Sequence, residues 1–296
     1  NLTRTTSSFL HTIQIGDTLS IKEIYNNSAN ILIDNSHVLN LSFKDGLLAS
    51  KAAVVDLEGV NREDFKNRLR GEGSIVGEKL CFSNLHLSFK ESSVFNNSEE
   101  DILKRITVDL VKFKENCHKF TNFLKLIEFE SVFLNVVLKN KISYFKKDDF
   151  KYALFRKVST VINKIRRDLK NGNLVEKKII ESLTALLGLG WGLTPSGDDF
   201  YTGFYTIRKI LNQKFNIDMI NPLILGDKNK ISPLILNLLN DIEDSYYPEI
   251  IFKIIDLISG YEKECFFDDF RQVQEFGHTS GEDILAGVLF GIEDLK

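Results

Sequence analysis

The sequence predicts an α+β protein with a β-rich first part and a mostly helical remainder. Up to residue 89 the apolar runs are short, as in strands, whereas from Ser98 onward apolar residues recur at helical spacing. All four prolines lie after residue 194, so the chain-breaking residues are also distributed unevenly. We therefore expect a β-rich domain over residues 1–97 and, over residues 98–296, a helical domain that carries a glycine-rich loop and its repeat.

Composition narrows the classes of protein that this chain could represent. Of its 296 residues, 43% are hydrophobic and 27% charged, which is typical of a folded globular protein. The net charge of -3 provides no general positive field, so we expect neither a nucleic-acid partner nor a membrane surface. The first thirty residues contain no continuous apolar run, and a cytoplasmic protein is expected. The three cysteines form no C-x-x-C pair, and we expect no bound metal and no cofactor.

The strand predictions rest on short apolar runs separated by turn residues such as Lys44-Asp45-Gly46. They cover residues 29–34, 37–43, 52–57, 74–82 and 85–89.

The helix predictions begin after a polar stretch over residues 90–98, where we place the domain boundary. Ser98 is a good N-cap and is followed by three acidic residues that suit the first turn of a helix. Apolar stripes and stop signals predict further helices over residues 148–170 and 174–187, and the aromatic and acidic residues 266–270 also fit a helix. No nearby acid completes a triad with Cys117-His118, so a thiol nucleophile is not expected.

The glycine-rich loop at residues 188–204 contains glycines at alternate positions, Gly188, Gly190 and Gly192. Ser196 is expected to be the N-cap of the following helix, with Asp199 at the third helical position. A flexible loop leading into a helix N-terminus aims several N–H groups at one point, which favours binding of phosphate or carboxylate. The spacing matches neither a P-loop nor a dinucleotide fingerprint. The alternative interpretation is a tight turn with a capping box.

The loop motif recurs further along the chain. Residues 196–204 are repeated 84 positions later as residues 280–288, with Ser, Gly, an acid pair and a second Gly at the same spacing. Gly203 and Gly287 fall inside the predicted helices, where glycine costs about 0.5–1 kcal/mol relative to alanine. A compensating close backbone contact is therefore expected. We predict that the two helices pack together at these glycines and that their N-termini face a shared anion-binding crevice.

Residues 188–204, together with residues 277–287, resemble a family of uncharacterised domains, and the specific part of the match is the Gly-Leu-Thr-Pro-Ser-Gly-Asp-Asp core at residues 192–199. The best-known member of that family is a subunit of the oxamate carbamoyltransferase of anaerobic allantoin degradation. The resemblance implies carbamoyl transfer between carbamoyl phosphate and oxamate, run physiologically as phosphorolysis of oxalurate, a step of purine catabolism. It also implies a multi-subunit enzyme, so other subunits are the expected partners. The implied ligands, namely phosphate, carbamoyl phosphate, oxamate and oxalurate, are all small anions.

The candidate site residues come from the two copies of the motif. Helix-tip amides and hydroxyls are expected to bind substrate, at Gly190, Gly192, Thr194, Ser196, Gly197, Asp198, Thr279, Ser280 and Gly281. His278 is a candidate to donate to the carbamoyl oxygen or to move a proton, and Asp199 and Asp283 to orient an amide nitrogen. For the acids, a capping role is equally compatible with the sequence.

Two other functions remain open at this point. The chain could be a non-catalytic assembly subunit that supports an active site on partner chains. It could also be a metal-dependent hydrolase that uses the four clustered acids of the two motifs.

Overall fold

The computed structural model describes residues 1–139, 150–170, 176–191, 194–217, 233–260 and 266–293. The chain forms two compact units. The first comprises Asn1–Ile102 and Asn240–Ile250, and the second comprises Leu103–Leu239 and Ile251–Lys296. The boundary after residue 97 stays a prediction, and the segment 240–250 joins the first unit although it is distant in sequence.

The first unit is built on a nine-stranded sheet with the order β8-β7-β6-β2-β3-β4-β5-β1-β9. The pairs β4–β5 and β1–β9 are parallel, and the other neighbouring pairs are antiparallel. The strands are β1 Leu2–Thr6, β2 Thr18–Ile24, β3 Ser28–Ile33, β4 His37–Ser42, β5 Ala52–Val55, β6 Glu72–Val76, β7 Lys79–Phe82, β8 Leu85–Ser88 and β9 Ser93–Phe95.

Twelve helices accompany the sheet among the described residues. They are α1 Ser7–Thr12, α2 Arg62–Arg68, α3 Glu99–Arg105, α4 Leu110–Leu124, α5 Val132–Val137, α6 Phe150–Lys170, α7 Glu176–Thr184, α8 Ser196–Phe215, α9 Pro233–Glu243, α10 Glu249–Ser259, α11 Phe266–Gln274 and α12 Ser280–Ile292. The α+β class, with strands first and helices mostly later, is confirmed.

The strand predictions are confirmed for β3, β4, β5 and β8 but wrong in two details. The run predicted as one strand over 74–82 is a hairpin of β6 and β7, because Gly77 turns the chain with a φ of +57°. The polar stretch predicted as a boundary contains β9, which pairs with β1 through backbone hydrogen bonds that do not require apolar side chains. β1 and β2 were not predicted.

The core of the first unit consists of apolar side chains from the sheet and from α1 and α2, the two helices that lie between strands in the chain. Phe65 of α2 meets Phe43 edge to face, with 5.3 Å between ring centroids, and Phe9 of α1 meets Phe89 in the same way at 5.9 Å. Such pairs contribute about 0.5–1.5 kcal/mol beyond the burial of their area.

Polar contacts hold the segment 240–250 within the first unit. The Asn97 side-chain amide donates to the Tyr247 carbonyl at 3.0 Å, and Arg4 pairs with Glu249 at 2.9 Å. Lys51 forms a buried ion pair with Asp241 at 2.6 Å, an arrangement that becomes costly if either partner is removed. The periodicity of the sequence contains no information about these long-range pairs.

The helix predictions hold where the described residues allow comparison. Ser98 caps α3, since its hydroxyl accepts from the Asp101 N–H at 3.3 Å. The helix predicted over 148–170 is α6, and residues 148–149 lie outside the described residues. The helix predicted over 174–187 is α7, which ends earlier, at Thr184, and residues 174–175 again lie outside the described residues. The predicted helix at 266–270 is α11.

The second unit is organised around α8 and α12. Residues 281–292 of α12 are all buried, as is typical of a helix at the centre of a helical layer. A Cβ at Gly203 would lie 2.1 Å from the Ile284 carbonyl oxygen, and one at Gly287 would lie 2.0 Å from that of Phe200. The predicted glycine contact between the two helices is confirmed. No helix of the described part of the chain combines the length and apolarity needed to cross a bilayer.

Candidate functional site

The two copies of the motif fold as equivalent helical hairpins. The first hairpin consists of α7, a loop and α8, and the second of α11, a loop and α12. In both, the second residue of the later helix is a glycine packed against a backbone carbonyl oxygen of its own hairpin, which belongs to the loop in the first copy and to the end of α11 in the second. A Cβ at Gly197 would lie 1.8 Å from the oxygen of Leu186, and one at Gly281 would lie 1.8 Å from that of Val273. Neither position has room for any other residue.

A second glycine in each loop supports the serine that opens the helix. Gly190 has a φ of +117° and lies against Ser196, and Gly277 has a φ of +65° and lies against Ser280. These are left-handed conformations that favour glycine. Six positions separate the glycine from the serine in the first hairpin but only three in the second, so the first loop is longer. Gly192, a predicted binding residue, belongs to this longer stretch and lies outside the described residues.

The predicted capping box is wrong. Pro195, not Ser196, is the N-cap of α8, and its carbonyl accepts from the N–H groups of Asp198 and Asp199 at 2.8 and 3.2 Å. In α12 the N-cap is Thr279. Within the described chain neither cap makes a side-chain bond to its own helix.

The serine hydroxyls instead act across the two hairpins. Ser280 hydrogen-bonds the Asp199 carboxyl of the first copy, and Ser196 approaches the Asp283 carboxyl of the second. The Thr194 and Ser280 hydroxyl oxygens are 3.4 Å apart, and Thr194 donates to Asp199 at 3.1 Å. The two N-terminal ends therefore lie side by side. We name the tip site by its half-buried hydroxyls, Thr194, Ser196, Thr279 and Ser280, and its buried carboxyls, Asp199 and Asp283.

The two carboxyls of the tip site are held in an environment that disfavours charge. Burial raises the pKa of Asp199 well above its usual range, and the nearby Asp283 raises it further. Burial also raises the pKa of Asp283 to about 7, although the hydroxyls of Ser131, Ser196 and Thr279 partly oppose this shift. Two acids this close do not ionise independently, so at neutral pH the pair retains at least part of its bound protons.

Asp283 has an oxygen that the described structure leaves unsatisfied. Its Oδ1 accepts from the Ser131 hydroxyl at 2.5 Å, whereas its Oδ2 is buried and, among the described residues, has no partner aligned as a hydrogen bond. The Ser196 and Thr279 hydroxyls that lower its pKa lie close without that alignment. A buried polar atom without a partner costs free energy, which makes Asp283 the most unusual polar group of the tip site.

The first acid of each pair binds a backbone amide, but in a different segment. Asp198 accepts from the N–H of Gly188 in its own loop at 2.6 Å. Glu282, which is one methylene longer, accepts from the N–H of Ser131 at 2.7 Å. Ser131 is the N-cap of α5, so the second hairpin is tied to a third helix.

The sequence prediction missed Ser131. The apolar run after this residue indicates a helix start, but nothing in the sequence connects it to acids about 150 positions away. Its contacts with Glu282 and Asp283 arise only from the tertiary fold.

The backbone amides of Gly197 and Gly281 at the helix tips already have protein acceptors. The Gly197 N–H donates to the Leu189 carbonyl at 2.8 Å, and the Gly281 N–H donates to that of Phe276 at 2.9 Å. A ligand at the tip site would therefore meet the hydroxyls first, or would have to replace these two bonds. The amides of Gly197 and Gly281 remain predicted binding groups on that condition.

The exposed rim of the tip site carries His278 and Trp191. The His278 imidazole lies 3.8 Å from the Glu130 carboxylate, and three quarters of its side chain is exposed. Trp191 is exposed and packs against Phe150, with 5.1 Å between ring centroids. His278 is accessible to a ligand, unlike the two buried carboxyls, which reach the surface only through the hydroxyls that contact them.

The two motifs bring four acids together, a composition that could suit a metal ion. In the part of the chain that the structure describes, no group of three or more His, Cys, Asp or Glu residues is arranged to hold a metal ion. The four acids of the two motifs are bound to hydroxyl and backbone donors instead.

The fold and the tip site thus define a protein with two related helical hairpins joined at their glycines. Residues 186–292, which span both hairpin loops and their following helices, match the family described as oxamate carbamoyltransferase subunit AllH. The predicted family resemblance is confirmed over these residues, and this part of the chain is similar to a subunit of an oxamate carbamoyltransferase. Comparison with curated proteins and with solved structures gave no match.

Proposed function

We propose that this chain is a subunit of a carbamoyltransferase that acts on small anions, and that the tip site binds the substrate. The proposed reaction is the phosphorolysis of oxalurate to oxamate and carbamoyl phosphate. A phosphate oxygen attacks the carbamoyl carbon, the bond from that carbon to the oxamate nitrogen breaks, and the nitrogen takes up a proton. The observation that carries the proposal is the reciprocal contact of Ser196 and Ser280 with the two buried carboxyls, within the segment that matches the family.

The hydroxyls are proposed to contact the ligand. Thr194 donates to Asp199, but a carboxyl that holds a proton can itself donate to a neighbouring serine hydroxyl. The O–H of Ser196 or Ser280 is then available to donate to an anionic oxygen. The raised pKa values of Asp199 and Asp283 support this arrangement near neutral pH. The positive ends of α8 and α12 add to the attraction for a negative ligand.

The acids and the histidine take different roles in this proposal. Asp199 and Asp283 are positioning residues, because they are buried and act through the hydroxyls. His278, at the exposed rim, is the candidate proton donor to the leaving nitrogen.

The test uses the chain assembled with its partner subunits. Ser196→Ala and Ser280→Ala are each expected to lower kcat/KM for oxalurate phosphorolysis by about tenfold or more, because each removes a donor to the substrate. The matched control is Thr160→Ala, which removes an exposed helix hydroxyl far from the motif. Retained assembly with unchanged activity in both serine variants would contradict the tip site as the substrate site.

The alternative function is a non-catalytic assembly subunit. The specific observation in its favour is that the Gly197 and Gly281 amides are already bonded within the protein, as in a purely structural turn. In that case the serine variants and His278→Ala would leave turnover unchanged, and only substitutions on exposed surfaces would weaken assembly. Measuring subunit stoichiometry and turnover on the same preparation separates the two functions.

A further inference from the structure

A pocket lies at the C-terminal ends of α5 and α12, whereas the tip site lies at the N-terminal ends of these helices. The proposed function assigns no role to the residues that line this pocket. It has a volume of about 260 Å³ and lies among α4, the end of α5 and the end of α12. All of its lining residues belong to the second unit and to the described part of the chain.

The inner wall of the pocket is apolar. Val137, Leu138, Leu289 and Ile292 line it and are buried. Cys117 is also buried there, and burial raises the pKa of its thiol to about 12, so the sulfur stays neutral and acts as a small apolar group. Such a surface favours an aliphatic or aromatic body over a fully polar ligand.

The outer rim of the pocket is rich in cations. Lys125 and Lys139 line it with exposed side chains, together with Lys114 and His118. The acid of the lining is Glu293, and Arg166 binds both of its carboxylate oxygens at 2.8–2.9 Å. The Lys139 ammonium lies further from this carboxylate, at 3.8 Å. The negative charge of Glu293 is therefore compensated, and the rim retains an excess of positive charge.

The ends of the helices do not cancel this excess. The C-terminal carbonyls of a helix carry partial negative charge, which would repel an anion. In α5 the same Arg166 guanidinium donates to the Val137 carbonyl at 2.8 Å, so one of these carbonyls already has a hydrogen-bond donor. A helix end carries only about half an elementary charge, against the lysines of the rim.

We propose that this pocket binds a small amphipathic anion, of which a medium-chain carboxylate is the simplest example. Its chain would lie against Val137, Leu289 and Ile292, and its carboxylate would lie at Lys125 and Lys139. This inference does not depend on the proposed carbamoyltransferase function, because none of these residues belongs to the tip site.

The test compares three probes that share an eight-carbon chain: octanoate, 1-octanol and octylammonium. Binding to the full chain is followed by NMR of labelled Leu and Val methyl groups. Octanoate is expected to bind saturably, with a Kd on the order of 1 mM or below, and to shift the Val137 and Leu289 methyl resonances. Octanol is expected to bind at least about tenfold more weakly, since it lacks the charge, and octylammonium more weakly still.

Variants locate the charge contribution. Lys125→Glu is expected to weaken octanoate binding by about tenfold or more, and Lys125→Gln by less. Lys119→Glu is the matched control, because it makes the same charge change on an exposed position of the same helix outside the pocket. Equal binding of octanoate and octanol, no saturation up to about 10 mM octanoate, or methyl shifts confined to other parts of the unit would each overturn the proposal.

Discussion

The two hairpins of the second unit share the contacts of their glycines and differ in the partners of their acids. Gly197 and Gly281 pack against backbone carbonyls of their own hairpins at the same distance, and Gly203 and Gly287 contact each other's helices reciprocally. The acids depart from this symmetry. Asp198 binds its own loop, whereas Glu282 reaches the N-cap of a third helix.

This comparison separates the two parts of the motif: the glycines set the geometry of helix packing, and the acids set the chemistry of the helix tips. The glycines allow the close backbone approach that brings two helix tips together. The environment of each acid then depends on the segments that pack around the tips. Asp283 is fully enclosed, and one of its oxygens has no aligned partner among the described residues. Five substitutions at four places in or next to the two hairpins test this separation, in order of decreasing expected effect.

The largest effect is expected at the shared glycine contact. Gly287→Ala and Gly203→Ala would each place a Cβ about 2 Å from a backbone oxygen of the other helix, which requires the helices to move apart. We expect each variant to lose about 3–5 kcal/mol of unfolding free energy or to fail to fold. Urea denaturation measures the loss, and Gly46→Ala, where a Cβ meets nothing within 4 Å, is the control. A loss below about 1 kcal/mol in both variants would show that the helices are not in close contact.

The next effect concerns the enclosed carboxyl of the second hairpin. Asp283 has a pKa of about 7 when folded, against 3.8 for the ordinary group, so between these values the folded state holds a proton that the unfolded state releases. Stability should therefore fall as the pH rises from about 4 to 7 and should then level off. Asp283→Asn removes this contribution. From pH 4 to 7, the unfolding free energy of the variant should therefore decrease by less than that of the unmodified chain, with a difference of up to about 4 kcal/mol.

Denaturation midpoints at pH 4, 5.5, 7 and 8 provide the measurement. Asp268→Asn, which neutralises an exposed acid on α11, controls for a change of net charge. Identical pH dependence in the unmodified chain and in Asp283→Asn would mean that Asp283 is ionised throughout and is not enclosed.

A smaller effect is expected at Ser131, which contacts Glu282 and Asp283 of the second hairpin. Ser131→Ala removes the hydroxyl that donates to Asp283 and that caps α5 by accepting from the Leu134 N–H at 2.9 Å. We expect a loss of about 1–2 kcal/mol in unfolding free energy, as for other N-cap serines. The pH dependence assigned to Asp283 should shift toward higher pH, because a hydrogen bond that stabilises its charged form is gone. If stability fell without any change in the pH profile, Ser131 would be only a cap.

The smallest effect is expected in the longer loop of the first hairpin. Trp191 is exposed and contacts Phe150, so Trp191→Ala should cost no more than about 1 kcal/mol. Turnover of the assembled enzyme with Trp191→Ala then shows whether the longer loop contributes to substrate binding. A large drop in turnover with intact stability cannot come from lost packing. A destabilisation of several kcal/mol would instead make the longer loop part of the fold.

Much of the fold was predictable from local patterns. Apolar alternation located β3, β4 and β8, and the acidic residues after Ser98 located the start of α3, because these patterns depend on neighbouring positions. The hairpin at Gly77 was missed, since continuous apolar character over 74–82 hides a turn whose determinant is one glycine conformation. The strand β9 was missed because a parallel edge strand can be polar.

The candidate site was predictable in part. The repetition of Ser, Gly, the acid pair and the internal Gly was sufficient to predict that two helices meet at Gly203 and Gly287. The capping box failed because the sequence cannot show that the serine hydroxyls face the other hairpin. The roles predicted for His278, Asp199 and Asp283 stay predictions.

Local patterns in the sequence were sufficient to predict the α+β class, the two related hairpins and the positions where only glycine fits. Periodicity and backbone sterics act over a few residues, so they can be read from neighbouring positions. Only the tertiary structure decided that Asp283 is enclosed, that Ser131 joins the tip site, and that segment 240–250 belongs to the first unit. Desolvation and hydrogen bonding depend on which distant segments surround a group, and they shift its pKa by more than any neighbour in sequence can.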